Sequence, residues 1–189
     1  MTTTAVPVLD GDTAQRAFRA TLDALAHPGV RAALPPVAAV PAALLPVLAL
    51  ADLDTPVCVL GDTPDGAWAD ALGTATAAPV APLAGARLVA ALRPLAAGEL
   101  AAVRTGSAAA PEEAALVALA VAGLDGGPEL VLSGPGVPGS RVIAPRGCPP
   151  DLVAARTAAA FPAGPDLLLI APDCAVVGIP RSTRIIEED

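Results

Sequence analysis

The sequence predicts one α/β domain built in three layers, α/β/α, with a mixed β-sheet and helices on both faces. Two observations carry this. Short apolar runs of strand length alternate along the chain with longer stretches of helical period. The chain has 189 residues, 54% hydrophobic and 16% charged, which suits one domain with a sizeable core. No internal repeat or long linker divides it, so residues 1–189 read as a single unit with 1–9 as a flexible N-terminus.

The first helix is expected over Asp12–His27, with Asp12 as N-cap and Gln15 as its capping-box partner. Phe18, Leu22 and Leu25 recur at helical spacing and form its predicted apolar stripe. Pro28-Gly29 stops it. Val30–Leu34 is a short strand. Pro41–Asp52 reads as a second helix that starts late or kinks at Pro46. Asp54-Thr55-Pro56 turns the chain into a buried strand, Val57–Leu60, followed by a polar loop, Gly61–Gly66. A short helix carries Trp68 and Leu72. Arg87–Leu92 alternates weakly as a strand, Ala96–Val103 is a helix, and Leu116–Ala122 fits helix or strand by pattern, its length and valine content favouring strand. Gly126-Gly127-Pro128 predicts a hairpin turn into a strand at Glu129–Ser133. After the Ser133–Gly139 glycine–proline loop come a helix, Asp151–Ala160, and a central strand, Leu167–Ile170. Ala175–Ile179 pairs with that strand across Pro172-Asp173, and Ile185–Asp189 is an acidic tail.

Composition excludes several chemistries. There are 46 alanines, one glutamine, and no asparagine, tyrosine or lysine, so all eleven basic residues are arginine. Without lysine there is no Schiff base for pyridoxal phosphate and no Walker A lysine. One histidine, His27, rules out an HExxH zinc site. Three scattered cysteines, Cys58, Cys148 and Cys174, cannot build a Cys₄ cluster and read as buried thiols of a cytoplasmic protein. A net charge of −8 argues against nucleic-acid binding and against an anionic membrane surface. Met1–Asp12 has no signal-peptide pattern, and the longest apolar stretch, Val37–Ala51, is too short and proline-broken to span a bilayer.

Three segments could carry chemistry. Pro180-Arg181-Ser182-Thr183-Arg184 could grip a phosphate or carboxylate through arginine forks and hydroxyls, or be a solvated strand exit with its arginines paired locally. Ser133-Gly134-Pro135-Gly136 could offer backbone N–H groups to the same anion, although a proline-containing turn is the commoner reading. Thr105-Gly106-Ser107 before Pro111-Glu112-Glu113 could hold a metal or act as acid and base; more often such glutamates sit in a helix first turn. His27 is either a general base or, more commonly, a partner of a helix C-terminus. No GxSxG elbow is present.

Seven segments in order then carry a family resemblance. They are Phe18-Arg19-x-x-Leu22-x-x-Leu25-Ala26-His27-Pro28-Gly29, Leu50-Ala51-Asp52-x-Asp54-Thr55-Pro56-Val57, Thr105-Gly106-Ser107 and Pro111-Glu112. Ser133–Val137, Phe161-Pro162-x-Gly164-x-Asp166-Leu167 and Ile179-Pro180-Arg181-Ser182-Thr183 complete the set. Together they resemble the PhnH family of the bacterial carbon–phosphorus lyase system over about residues 10–186. Ser182 stands where the family usually has threonine. Pro165 stands where it has an aliphatic residue, which is expected to delay the following strand by one residue.

The resemblance implies a scaffold similar to the large domain of pyridoxal-phosphate-dependent transferases, used without that cofactor or any other, and without metal. It implies a cytoplasmic subunit working with PhnG, PhnI and PhnJ, able to form a homodimer. The reaction served is displacement of adenine from ATP by an alkylphosphonate, giving ribose 1-alkylphosphonate 5-triphosphate; the later radical cleavage belongs to PhnJ. No catalytic residue is implied here. Candidate ligand contacts are Arg181, Ser182, Thr183, Gly134, Gly136 and Arg19. The rival readings are a stand-alone phosphate- or nucleotide-binding protein and a cofactor-less transferase.

Overall fold

The computed structural model describes residues 8–61, 66–159 and 161–187. The first helix, α1, spans Gly11–Ala26, and its N-cap is Asp10 rather than Asp12. The Asp10 carboxylate accepts from the Thr13 N–H at 2.9 Å and the Thr13 hydroxyl at 2.8 Å. Asp12 already lies in the first turn, where it pairs with Arg16 at 3.0 Å. The Asp12–Gln15 spacing imitates a capping box, but the extended backbone that a cap needs occurs two residues earlier.

The expected stripe of α1 is also not its packed face. Ala17, Ala20, Thr21 and Ala24 are buried, whereas Phe18 and Leu22 are 40% and 49% exposed. The cause is a close backbone approach. A Cβ built on Gly178 would stand 2.3 Å from the Ala24 carbonyl oxygen, so only small side chains fit between helix and sheet.

Nine strands and three more helices follow among the described residues. The strands are β1 (Arg31–Ala33), β2 (Val57–Leu60), β3 (Leu88–Ala91), β4 (Leu116–Ala120), β5 (Leu130–Ser133), β6 (Arg141–Ile143), β7 (Asp166–Ile170), β8 (Ala175–Ile179) and β9 (Arg184–Glu187). The helices are α2 (Leu45–Leu50), α3 (Ala67–Thr76) and α4 (Leu152–Ala158). A mixed six-stranded sheet runs β1-β8-β7-β4-β3-β2, with β2, β3, β4 and β7 mutually parallel and β8 antiparallel to both its neighbours, β7 and β1. β6-β5-β9 form a separate antiparallel sheet.

Side chains alternate between two cores, as the pleat requires. Leu88, Ala90, Ala118, Leu168, Ile170 and Val176 face the core that α1, α2 and α3 cover. Val89, Val117, Leu119, Leu167, Leu169 and Ile179 face the other, which receives Leu130 and Leu132 of β5, Ile185 of β9 and Leu152 of α4. The fold is therefore α/β, but one face is layered by three helices and the other mainly by the small sheet with a single helix.

Several expectations needed correction. Gly126-Gly127-Pro128 does not join β4 to β5 as a hairpin: β4 lies between β3 and β7, and β5 leaves for the second sheet. Parallel neighbours already satisfy both edges of β4, so the local turn signal is overruled. Ala96–Val103 holds only a 3₁₀ turn, Leu100–Ala102, because Gly98 sits at φ 84° and breaks helical continuity. β6 was not expected. β7 begins at Asp166, directly after Pro165, since its ladder starts with the Asp166 N–H donating to Ala115 at 2.9 Å and asks nothing of residue 165. Ile185 lies not in a tail but in β9, paired with Leu132.

Other expectations match. The second helix starts late, as a 3₁₀ turn and then α2 with Pro46 in its first turn. β2, β3, β4, β7 and β8 fall within a residue or two of their expected places. The 1–9 terminus and the Gly61–Gly66 loop fall largely, and Ala160 and residues 188–189 wholly, outside the described residues.

Candidate functional site

The turn between β8 and β9, residues 180–183, is where distant segments of the chain meet. Arg181 follows the last residue of β8 by two positions, and Asp166 opens the antiparallel neighbour β7. Asp166 accepts from the Arg181 backbone N–H at 2.7 Å, from Nε at 3.2 Å and from Nη2 at 2.6 Å. Arg181 Nη1 donates to the Pro111 carbonyl. The Gly164 N–H donates to the Thr105 carbonyl at 2.7 Å, tying a third segment to the same corner.

The 133–136 loop packs on the turn from the other side. A Cβ on Gly134 would lie 2.8 Å from the Ser182 carbonyl oxygen. One on Gly136 would lie 2.6 Å from the Ala26 carbonyl oxygen, which locks the loop to the end of α1. Thus five of the seven segments that carried the resemblance converge here, through backbone contacts and one ion pair.

Between turn, loop and α4 opens a groove of about 750 Å³. Ser133, Gly134, Arg181, Ser182 and Thr183 line it, as does Arg156 of α4, which sequence reasoning had not singled out. Gly136 and Arg19 do not: Gly136 is spent on packing against α1, and Arg19 lies on the exposed side of that helix. The groove lies by Asp166, at the amino ends of the parallel strands β4 and β7. It is therefore not the crevice at the carboxyl ends where open α/β sheets usually hold nucleotides.

The two arginines are held differently. Arg181 is neutralised by Asp166, both side chains being 19% exposed. Arg156 has no carboxylate partner among the described residues; it donates to the carbonyls of Pro165, Pro180 (2.7 Å) and Thr183 (3.3 Å). Burial pushes its guanidinium down from the usual value, Asp166 opposing and Arg181 adding to that shift. Its Nε is buried without a partner, and so is the Thr183 hydroxyl, on a residue only 4% exposed.

The remaining candidates form no reactive constellation. His27 caps α1; it is exposed, with Nδ1 3.1 Å from the Asp23 carbonyl oxygen. Glu113 pairs with Arg104 at 3.1 Å, and Ser107 accepts from the Ala110 N–H, so this stretch is a braced 3₁₀ turn and not a carboxylate pair. Burial raises all three thiols, Cys148 to about 11, so none is an activated thiolate. Cys58 is buried, Cys148 and Cys174 half-buried. Among the described residues no group of three or more His, Cys, Asp or Glu could hold a metal ion, and no helix is long and apolar enough to cross a membrane.

The arginine-lined groove on an α/β scaffold does not itself define a reaction. The sequence profile of the bacterial phosphonate metabolism protein (PhnH) family matches residues 9–186. This chain belongs to that family. Over 81 residues it is 41% identical to the alpha-D-ribose 1-methylphosphonate 5-triphosphate synthase subunit PhnH of Rhizobium meliloti (strain 1021). That alignment spans 41% of this chain and 40% of the relative.

Proposed function

We propose that the protein is a subunit of a ribose 1-methylphosphonate 5-triphosphate synthase, serving the carbon–phosphorus lyase system of phosphonate catabolism in the cytoplasm. The observation that carries this reading is the family match over residues 9–186. Its partners are PhnG, PhnI and PhnJ, and its substrate-level chemistry is the joining of an alkylphosphonate to the ribose of ATP by the assembly. The lack of an activated nucleophile or base among the described residues supports an accessory role over a catalytic one. The zero-lysine composition supports a scaffold that holds no pyridoxal phosphate as an aldimine.

The test is co-expression of the tagged chain with PhnG, PhnI and PhnJ, followed by gel filtration. A stoichiometric complex is expected, and light scattering on the chain alone is expected to report twice the 18.4 kDa protomer mass. A chain that never co-elutes with the other subunits overturns the reading.

The second reading, that the chain binds a phosphate-bearing ligand itself, is favoured by the groove at Ser182, Thr183 and Gly134. A stand-alone transferase has no nucleophile–base pair behind it among the described residues.

A further inference from the structure

We propose that the groove beside the β8–β9 turn is a binding site for a tetrahedral oxyanion, a phosphoryl or phosphonyl group, held by the Thr183 hydroxyl and the Arg156 guanidinium rather than by Arg181. This deepens, and rests on, the reading of the chain as part of a phosphonate-processing assembly.

Charge is the first argument. The chain carries a net charge of −8, yet three of its eleven arginines, Arg156, Arg181 and Arg184, line this one groove. No carboxylate lines it among the described residues. Asp166 sits behind the wall and is consumed by Arg181, which leaves Arg156 and Arg184 without a carboxylate partner among the described residues. A site of this polarity attracts anions and repels the cations that an acidic protein otherwise collects.

The second argument is satisfaction. A hydroxyl buried without a partner costs roughly 1–3 kcal/mol, so such groups are rare unless something else fills the vacancy. Thr183 Oγ1 is orphaned in this way, and so is Arg156 Nε on the same groove. An oxyanion oxygen accepts from both donor types. Arg181 is neutralised, since Nε and Nη2 are bound to the Asp166 carboxylate and Nη1 to Pro111, whereas the acceptors on Arg156 are uncharged carbonyls. The task of Arg181 is to pin the turn that carries Thr183 in the groove wall, where the Thr183 hydroxyl lies beneath the surface.

The third argument is shape. At about 750 Å³ the groove exceeds what a bare oxyanion occupies. Phe161 and Ile186, 68% and 58% exposed, supply apolar wall. The ligand is thus an oxyanion at the end of a larger molecule whose body lies along Phe161.

Calorimetry on the purified chain at low ionic strength, with inorganic phosphate, methylphosphonate and phenylphosphonate as probes, tests this. Saturable binding is expected, tightest for phenylphosphonate. Thr183→Val should weaken it about tenfold, the worth of one hydrogen bond to a charged group, without lowering the melting temperature, because the hydroxyl it removes bonds nothing in the free protein. Phe161→Ala should cost only phenylphosphonate its advantage, and Arg19→Ala should change nothing. Undiminished binding by a folded Thr183→Val protein, or no saturable heat from any probe, overturns the site. Co-elution with the partner subunits is read separately: a chain that assembles but binds no probe loses only this site, whereas one that binds but never assembles loses the subunit reading.

Discussion

The contact of α1 with β8 and the turn that follows β8 lie a few residues apart and are built on opposite principles. At Gly178 the chain packs by removing side chains: alanines on α1 meet a glycine, and backbone touches backbone. Beyond Ile179 it packs by extending them: Arg156 and Arg181 reach across to the carbonyls of Pro111, Pro165, Pro180 and Thr183. The first contact is dry and has no room to adapt. The second is polar and leaves donors over. Only a region of the second kind can serve a ligand without dismantling the fold.

Gly178→Val would break the first contact most severely. Its Cβ meets backbone atoms of Ala24 and Leu25 at 2.3–2.8 Å, which no rotamer change relieves. A loss of about 3 kcal/mol in denaturant unfolding is expected. A midpoint within error of the parent would mean that α1 is free to lift off the sheet.

Asp166→Ala strikes the second region by stranding Arg181 in a site where it is 19% exposed. About 2 kcal/mol of destabilisation is expected, less than for a fully buried pair. Recovery by the double variant Asp166→Ala, Arg181→Met would show that the stranded charge, and not the lost packing, is the cause.

Acid unfolding gives a smaller and more distant contrast. Arg93, with help from the Ala96 N–H, holds the Glu99 carboxyl down at about 2, against an ordinary 4.5. A depressed pKa stabilises fully above the unfolded value, so this contribution is present above about pH 4.5 and fades as the pH falls towards 2. Both partners are partly exposed, which screens the pair to about 1 kcal/mol or less. Arg93→Ala should therefore narrow the stability difference from the parent progressively below pH 4.5, followed by circular dichroism.

The smallest effect is at the start of α1. The Thr13 N–H and hydroxyl hold the Asp10 carboxyl below its usual value, so its cap is present above the ordinary 3.8 and lost on acidification through its lowered pKa. Asp10→Ala should lower the neutral-pH melting temperature slightly, with the difference vanishing in strong acid. An unchanged Asp12→Ala protein would separate the true cap from its neighbour.

β2 and β7 were legible as short unbroken apolar runs, whereas the apolar run of β4 fitted a helix as well and only its length and valine content favoured a strand. Pro46 and the Pro172-Asp173 turn were legible because proline geometry is local. The partner of β5 was not, because register between strands more than fifty residues apart, such as Leu132 with Ile185, leaves no local trace. The inward face of α1 was misread for a related reason. Apolar size normally marks a buried stripe, and here the opposing glycine reverses that preference.

For the candidate site the division is sharper. Absence of lysine means, from composition alone, that no ammonium side chain contacts an anion, and Pro180–Thr183 with Ser133–Gly134 meet at the groove. Which arginine remains available was decided only by folding. Arg181 stands in the motif but is neutralised by Asp166, fifteen residues away, and held by Pro111, seventy away. Arg156 belongs to none of the quoted segments, yet it brings to the groove a charge with no carboxylate partner among the described residues. Residue type determines what a donor can do, but its remaining capacity depends on which acceptors the tertiary fold carries to it.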